Sequence, residues 1–315
     1  MVLGFMKTYN VTLDYIRAVL MALVILVHIV NFGFLYPEIK YSILAFFMPA
    51  FLILTGFLVN VEKSPKDFFL YIIRLVLPYV IMSMGFMTLS LFLPVRGGIA
   101  EMNMQTVTKV LLVTSIGPYW FFRVMIICGI LYYLSFRIFC KFGLVAKLSA
   151  FASFLIIFSN LTPSLGLTSA VYYFIGAALK YSVKDINRII PHSFWPVVPF
   201  ALLIGNDNFH DWGCIAVPVC CFCFFCFIAR LSDFFSGKFA LLMKYIGKNT
   251  LPIYIFHPIF TMAAKFVLPF FSFDGTGLLH TAFTIIIGLL GSIGIAYIMD
   301  RVHLSYIFGK KRILR

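Results

Sequence analysis

Charged side chains are scarce in this chain: 11% of its residues are Asp, Glu, Lys or Arg, against 62% hydrophobic. A water-soluble domain is nearer a quarter charged and half apolar, so a soluble fold is excluded. Acids are the scarcest, 11 against 25 Lys and Arg. No close Asp/Glu pair falls inside an apolar stretch, which excludes paired-carboxylate chemistry at membrane depth. No Gly-rich loop follows a strand pattern, and no zinc-ligand spacing occurs, so no bound metal is expected. The apolar stretches do not alternate, which excludes a membrane β-barrel. Internal repeats, low-complexity tracts and an appended soluble domain are all lacking. The first apolar run is too long for a cleavable signal peptide, and its outer end has no small-residue cleavage site. Five of the seven cysteines (Cys214, Cys220, Cys221, Cys223 and Cys226) share one run. The Cys223-Phe-Phe-Cys226 spacing reads more simply as small apolar residues in lipid than as a redox or metal site.

What remains is long hydrophobic runs. They fall near residues 16–36, 41–60, 68–93, 119–139, 144–160, 164–181, 189–206, 212–230, 250–272 and 277–299. Each approaches the length needed to cross a ~30 Å hydrocarbon core. The expected fold is all-α: a polytopic membrane helix bundle of about ten transmembrane helices, one integral membrane domain over residues 1–315. The net charge of +14 would suit nucleic acid, but its placement argues against nucleic-acid binding. Nineteen of the 25 basic residues lie in one set of alternate segments, from Lys7 and Arg17 to Arg315. The opposite loops hold Lys40 and Arg96 among five acids, Glu38, Glu101, Asp207, Asp211 and Asp274. This asymmetry places both termini in the cytoplasm. The longest outer connection, residues 94–118, has a middle (104–114) suited to a short interfacial or re-entrant helix.

Ionisable residues at bilayer depth cost on the order of 2.5–3.5 kcal/mol on insertion scales and usually mark a working site. His28 is the one such residue between Ala18 and Tyr36. Arg17 precedes it by eleven residues, close to three helical turns, so the two share a helix face with roughly 16 Å of rise between them. Asp14 lies one turn before Arg17, placed to pair with it. A guanidinium fork at the cytoplasmic mouth suits phosphate, and a buried neutral imidazole suits a general base. The bland alternative is a topology anchor and a packing histidine. His257 is a second imidazole at similar depth, suited either to substrate or to a helix–helix hydrogen bond. Arg74, one turn inside the third run, is a second phosphate candidate or a snorkelling side chain. Trp120 and Arg123, near the outer end of the fourth run, can meet an outer substrate or simply anchor the interface.

Several stretches carry a family resemblance, in order along nearly the whole chain. Leu13-Asp14-Tyr15-Ile16-Arg17-Ala18 with the distant His28 resembles the opening motif of the acyltransferase-three family of integral membrane O-acyltransferases. Phe47-Met48-Pro49-Ala50-Phe51 to Thr55-Gly56, Phe68-Phe69 to Arg74-Leu75-Val76-Leu77-Pro78-Tyr79, Gly117-Pro118-Tyr119-Trp120-Phe121-Phe122 and Tyr173-Phe174-Ile175-Gly176 are similar to its later motifs. So is Tyr245-Ile246-Gly247-Lys248-Asn249 through His257-Pro258. The nearest flavour is the fucose 4-O-acetylase-like sugar O-acetyltransferases. The resemblance implies a multi-pass protein of the bacterial inner (plasma) membrane. It implies acetyl-CoA as acyl-donor substrate, no permanently bound cofactor, and a sugar hydroxyl of a glycan or glycolipid as acceptor. It implies catalytic roles for Arg17 and His28, with Asp14 supporting, and adds Asn249 to the substrate candidates. The third motif usually has additional arginines where this chain has Tyr71 and Ile72. A secondary transporter using His28 and His257 as a proton or substrate site is the alternative from another class.

Overall fold

A computed structural model describes residues 11–93, 97–182 and 189–315. The basic residues Lys7, Arg96, Lys184 and Arg188 lie outside the described residues. Among those described, every regular element is helical. The helices are α1 (Val11–His28), α2 (Val30–Leu35), α3 (Pro37–Leu58), α4 (Pro65–Ser90), α5 (Met104–Lys109), α6 (Trp120–Ile138), α7 (Leu144–Leu161), α8 (Leu167–Ser182), α9 (Val197–Ile204), α10 (Ala216–Ser232), α11 (Gly237–Lys248), α12 (Thr250–Val267) and α13 (Leu278–Arg301). Seven segments, built on α1, α3, α4, α6, α7, α12 and α13, are long and apolar enough to cross a membrane. The apolar α10, at 17 residues, and α8, at 16, are shorter.

Two runs differ from expectation. The first is broken: Ile29 leaves the helical region (φ −76°, ψ 112°), so α1 stops at His28 and α2 resumes for one and a half turns. The run over residues 189–206 yields only the eight-residue α9, about 12 Å of helix. Pro191, Pro196 and Pro199 crowd that stretch, and proline removes an amide donor and clashes with the preceding turn. The connection after α4 behaves as its composition suggests. Asn103 caps α5 by accepting from the Thr106 amide at 2.8 Å, and a single π-helical turn, Val110–Thr114, follows.

The most deeply packed of the seven long helices is α1, which touches α3, α10, α11, α12 and α13; α7 and α13 bury least of themselves. The tightest helix pair is α3 against α8. A Cβ on Gly56 would collide with the Tyr173 carbonyl, and one on Gly176 with the Ile53 carbonyl. Small residues that admit backbone contact are the usual device for helix association where lipid gives no hydrophobic drive. The α10 cysteines pack in the same spirit, with the Cys221 thiol donating to the Phe46 carbonyl at 3.4 Å.

Candidate functional site

Gly247 sets the register between α1 and the α11–α12 junction. A Cβ there would occupy the space of the Asp14 backbone, so only glycine admits this approach. The approach brings Arg17 to Thr250: Nη2 donates to Oγ1 at 2.8 Å, while Nη1 donates to the Asp14 carboxylate at 3.3 Å. Asp14 is buried and Arg17 half-buried. The guanidinium thus holds the first turn of α12 in line with α1.

Along α1, at its last residue, stands His28. Its Nδ1 contacts the Val24 carbonyl at 2.6 Å. A carbonyl can only accept, so Nδ1 carries the proton and Nε2 is the basic nitrogen. The His257 ring lies edge-on to it, centroids 5.3 Å apart at 70°. His257 is fully buried, and its Nδ1 contacts the carbonyls of Ile253 (3.2 Å) and Tyr254 (3.0 Å). Its Nε2 has no hydrogen-bond partner among the described residues. Pro258, which has no amide to offer, leaves the Tyr254 carbonyl available to that ring. Two imidazoles in the same tautomer therefore meet, each with a lone pair on Nε2.

A cavity of about 140 Å³ lies against His28. Its wall includes Val24, Met48, Pro118, Trp120, Trp212 and Tyr254. Reciprocal bonds clamp this wall: the Tyr119 hydroxyl donates to the Ile255 carbonyl at 3.1 Å and the Tyr254 hydroxyl donates to the Pro118 carbonyl. Trp212 enters from the loop before α10. Its indole N–H donates to the Leu44 carbonyl at 3.3 Å, its own carbonyl accepts from the Tyr172 hydroxyl at 2.5 Å, and its ring stands 6.1 Å from that of Trp120. The volume is below the ~300 Å³ at which drug-sized pockets begin, so it takes one edge of a small group. Arg17 and Arg74 are not in its wall.

At the basic end of the bundle, Arg74 Nε donates to the Gly309 carbonyl at 3.0 Å. The segment after α13 folds back under the helices. Asp300 holds it by accepting from the amides of Ile313 (2.7 Å) and Leu314 (3.1 Å) and from the Ser305 hydroxyl. Asn249 is fully buried; it accepts from the Arg315 amide at 2.8 Å and donates to the Tyr245 carbonyl at 2.9 Å. Its polar atoms are therefore engaged in fastening the chain. Lys310 is brought beside Arg74 and Arg315, and burial together with those two cations pushes its ammonium down to about 8, against the pull of Asp300.

The Acyl_transf_3 family model, described as an acyltransferase domain, matches residues 10–301. The chain belongs to this acyltransferase family. No curated protein and no solved structure matches it. The acyltransferase family model ends where α13 ends, so it takes in His28 and both tryptophans of the cavity, and His257 beside it, but not the Lys310 segment. This membrane acyltransferase brings together His28, His257 and Trp120 from the residues singled out in its sequence, and Asp14 with Arg17 in a separate cluster. Arg74 on α4 and Asn249 between α11 and α12 bond the folded-back segment, and Arg123 faces α4. Among the described residues, no group of His, Cys, Asp and Glu is placed to hold a metal ion.

Three features of the acyltransferase escaped sequence reasoning. Trp212 lies in a loop with no motif around it; one of three tryptophans in a 315-residue chain was the available signal. The Thr250 partner of Arg17 is 233 residues away. Ser115, which ends the π-turn, has φ 63° and ψ 163°. That region is nearly glycine-only, and holding a serine there costs on the order of 1–3 kcal/mol.

Proposed function

We propose that this membrane acyltransferase moves an acetyl group from acetyl-CoA to a sugar hydroxyl of a surface glycan or its lipid-linked precursor. The chain sits in the bacterial inner membrane with its basic end in the cytoplasm, where the arginines and lysines concentrate. The observation that carries the reading is the pair of edge-on imidazoles beneath a tryptophan-walled cavity. Indole rings present an apolar face and a polar N–H, which match the C–H faces and hydroxyl rim of a sugar. The sugar edge enters between Trp120 and Trp212 and its hydroxyl meets His28 Nε2. The hydroxyl oxygen attacks the thioester carbonyl carbon as its proton passes to Nε2. The carbon–sulfur bond then breaks, and His28 returns the proton to the departing thiolate, leaving an ester and free CoA. His257 Nε2, buried and a hydrogen-bond acceptor, orients the imidazolium formed at His28.

Arg17 and Arg74 hold the donor's phosphates in this reading. It requires a path along α1, roughly 16 Å by helical rise, through which the donor's arm reaches His28. The transporter alternative has no such support, since the family is one of acyltransferases. Chemical analysis of surface glycans from cells lacking the chain tests the proposal. An acetyl ester is lost and returns with the wild-type gene but not with His28→Ala at equal protein level. A glycan unchanged in the deletion removes the acceptor assignment.

A further inference from the structure

The face between α4 and α6 lies at the end of the bundle opposite the basic one. Arg123 is half-buried there, with Nε and Nη1 shut from solvent and without a hydrogen-bond partner among the described residues. None of the four ion pairs of the described structure includes it. Its polar neighbour is the Tyr79 hydroxyl. That hydroxyl donates to the Leu111 carbonyl at 2.6 Å and lies 3.4 Å from Ser115 Oγ. One turn further along α4, on the face of Tyr79, Ser83 is completely buried and its hydroxyl also lacks a partner. Ser115 is the residue held at positive φ where the π-turn ends. A guanidinium with two buried, unpartnered nitrogens, a buried serine hydroxyl without a partner and a serine at positive φ thus lie around Tyr79 on the α4–α6 face.

We infer that this face binds a phosphate group entering from the lipid–water boundary opposite the basic end. A guanidinium in low dielectric requires a counter-anion, since leaving it unpaired carries a heavy desolvation penalty. The donors on offer are guanidinium N–H and serine O–H, and phosphate oxygens accept from all of them at once. Lys109, exposed at the end of α5, is the cation nearest in sequence to the Leu111–Ser115 turn. The π-turn and Ser115 form the cover, fixed to α4 through Tyr79. Phosphate of this kind has two sources, the headgroup of an anionic lipid and the phosphate of a lipid-linked acceptor. Both present the same chemistry at this depth. The inference is independent of acyl transfer at His28.

Thermal unfolding of the purified full chain in detergent, titrated with inorganic pyrophosphate, provides the test. An Arg74→Gln background weakens anion binding at the basic end. In that background pyrophosphate raises the unfolding temperature, and adding Arg123→Gln weakens the apparent affinity at least tenfold. Adding His28→Ala instead leaves it unchanged, which separates this site from the transfer chemistry. If Arg123→Gln does not fold, Arg123→Lys and Tyr79→Phe take its place, each weakening the affinity several-fold. A second arm compares nanodiscs of phosphatidylcholine with nanodiscs containing phosphatidylglycerol. Arg123-dependent stabilisation by phosphatidylglycerol as well as by pyrophosphate assigns the site to a lipid headgroup; an Arg123-dependent pyrophosphate response with no phosphatidylglycerol effect assigns it to a phosphorylated acceptor. No dependence on Arg123 or Tyr79 in either arm overturns the inference.

Discussion

His28 gains its character from three local facts. Its position at the end of α1 exposes one ring edge to the cavity, the Val24 carbonyl fixes its tautomer, and His257 stands against its other side. Loss of a general base costs typically 10²–10⁴-fold in rate, so His28→Ala is expected to lower acetyl transfer by at least ~10²-fold without changing protein level. His257→Gln should lower kcat and leave the KM for acetyl-CoA unchanged, measured in membranes with labelled donor; a KM effect alone would place His257 on the donor side instead. Arg17 bonds both Asp14 and Thr250. Thr250→Val removes one acceptor from its guanidinium, and leaving a buried charge-assisted bond unmade costs about 1–3 kcal/mol. A lowered unfolding temperature of the purified protein is the expected outcome. The Asp14–Arg17 contact was legible in the sequence, because residues three apart on a helix are neighbours. Thr250 was not, because nothing in local spacing tells which helix will lie beside α1.

At the scale of helices, glycines decide which backbones touch. Gly247→Ala should separate α11 from the Asp14 backbone and lower stability by roughly 1–3 kcal/mol or more, the range for overpacking a tight site. Circular dichroism melting reads the loss, and an unchanged melting curve would mean the junction yields freely. The hydrophobic runs foretold α3, α4, α6, α7 and α13, because continuous apolar length is the strongest signal a membrane helix has. They overstated residues 189–206, where three prolines in nine residues outweigh hydropathy. They also joined α1 to α2, since neither proline nor glycine marks the break at Ile29. That break matters to the site, for it leaves His28 at a helix end rather than within a continuous rod. The resemblance carried by Gly117-Pro118-Tyr119-Trp120 pointed to one wall of the cavity. Trp212, on a loop that reaches across to Leu44, became visible only in three dimensions.

Across the whole molecule, a cluster of cations and a pair of tryptophans stand at opposite ends. Arg74, Lys310 and Arg315 meet at one, and Trp120 and Trp212 stand at the other. Lys310 lends the basic end a pH dependence. The folded chain holds its ammonium near 8 against an ordinary 10.5. Its charging therefore opposes folding fully below about pH 8, and that penalty fades as pH rises from 8 toward 10.5. The same deprotonation removes a positive charge from the cluster. The KM for acetyl-CoA is thus expected to rise as pH passes through about 8, and Lys310→Gln should flatten that rise. Division of labour between the two ends, with His28 as the meeting point, is the claim on which the functional reading stands. Labelled acetyl-CoA added to inverted membrane vesicles tests it most directly. With wild-type protein, label should enter an alkali-labile glycan ester, and with His28→Ala it should not. Undiminished incorporation by the His28→Ala protein would contradict the account.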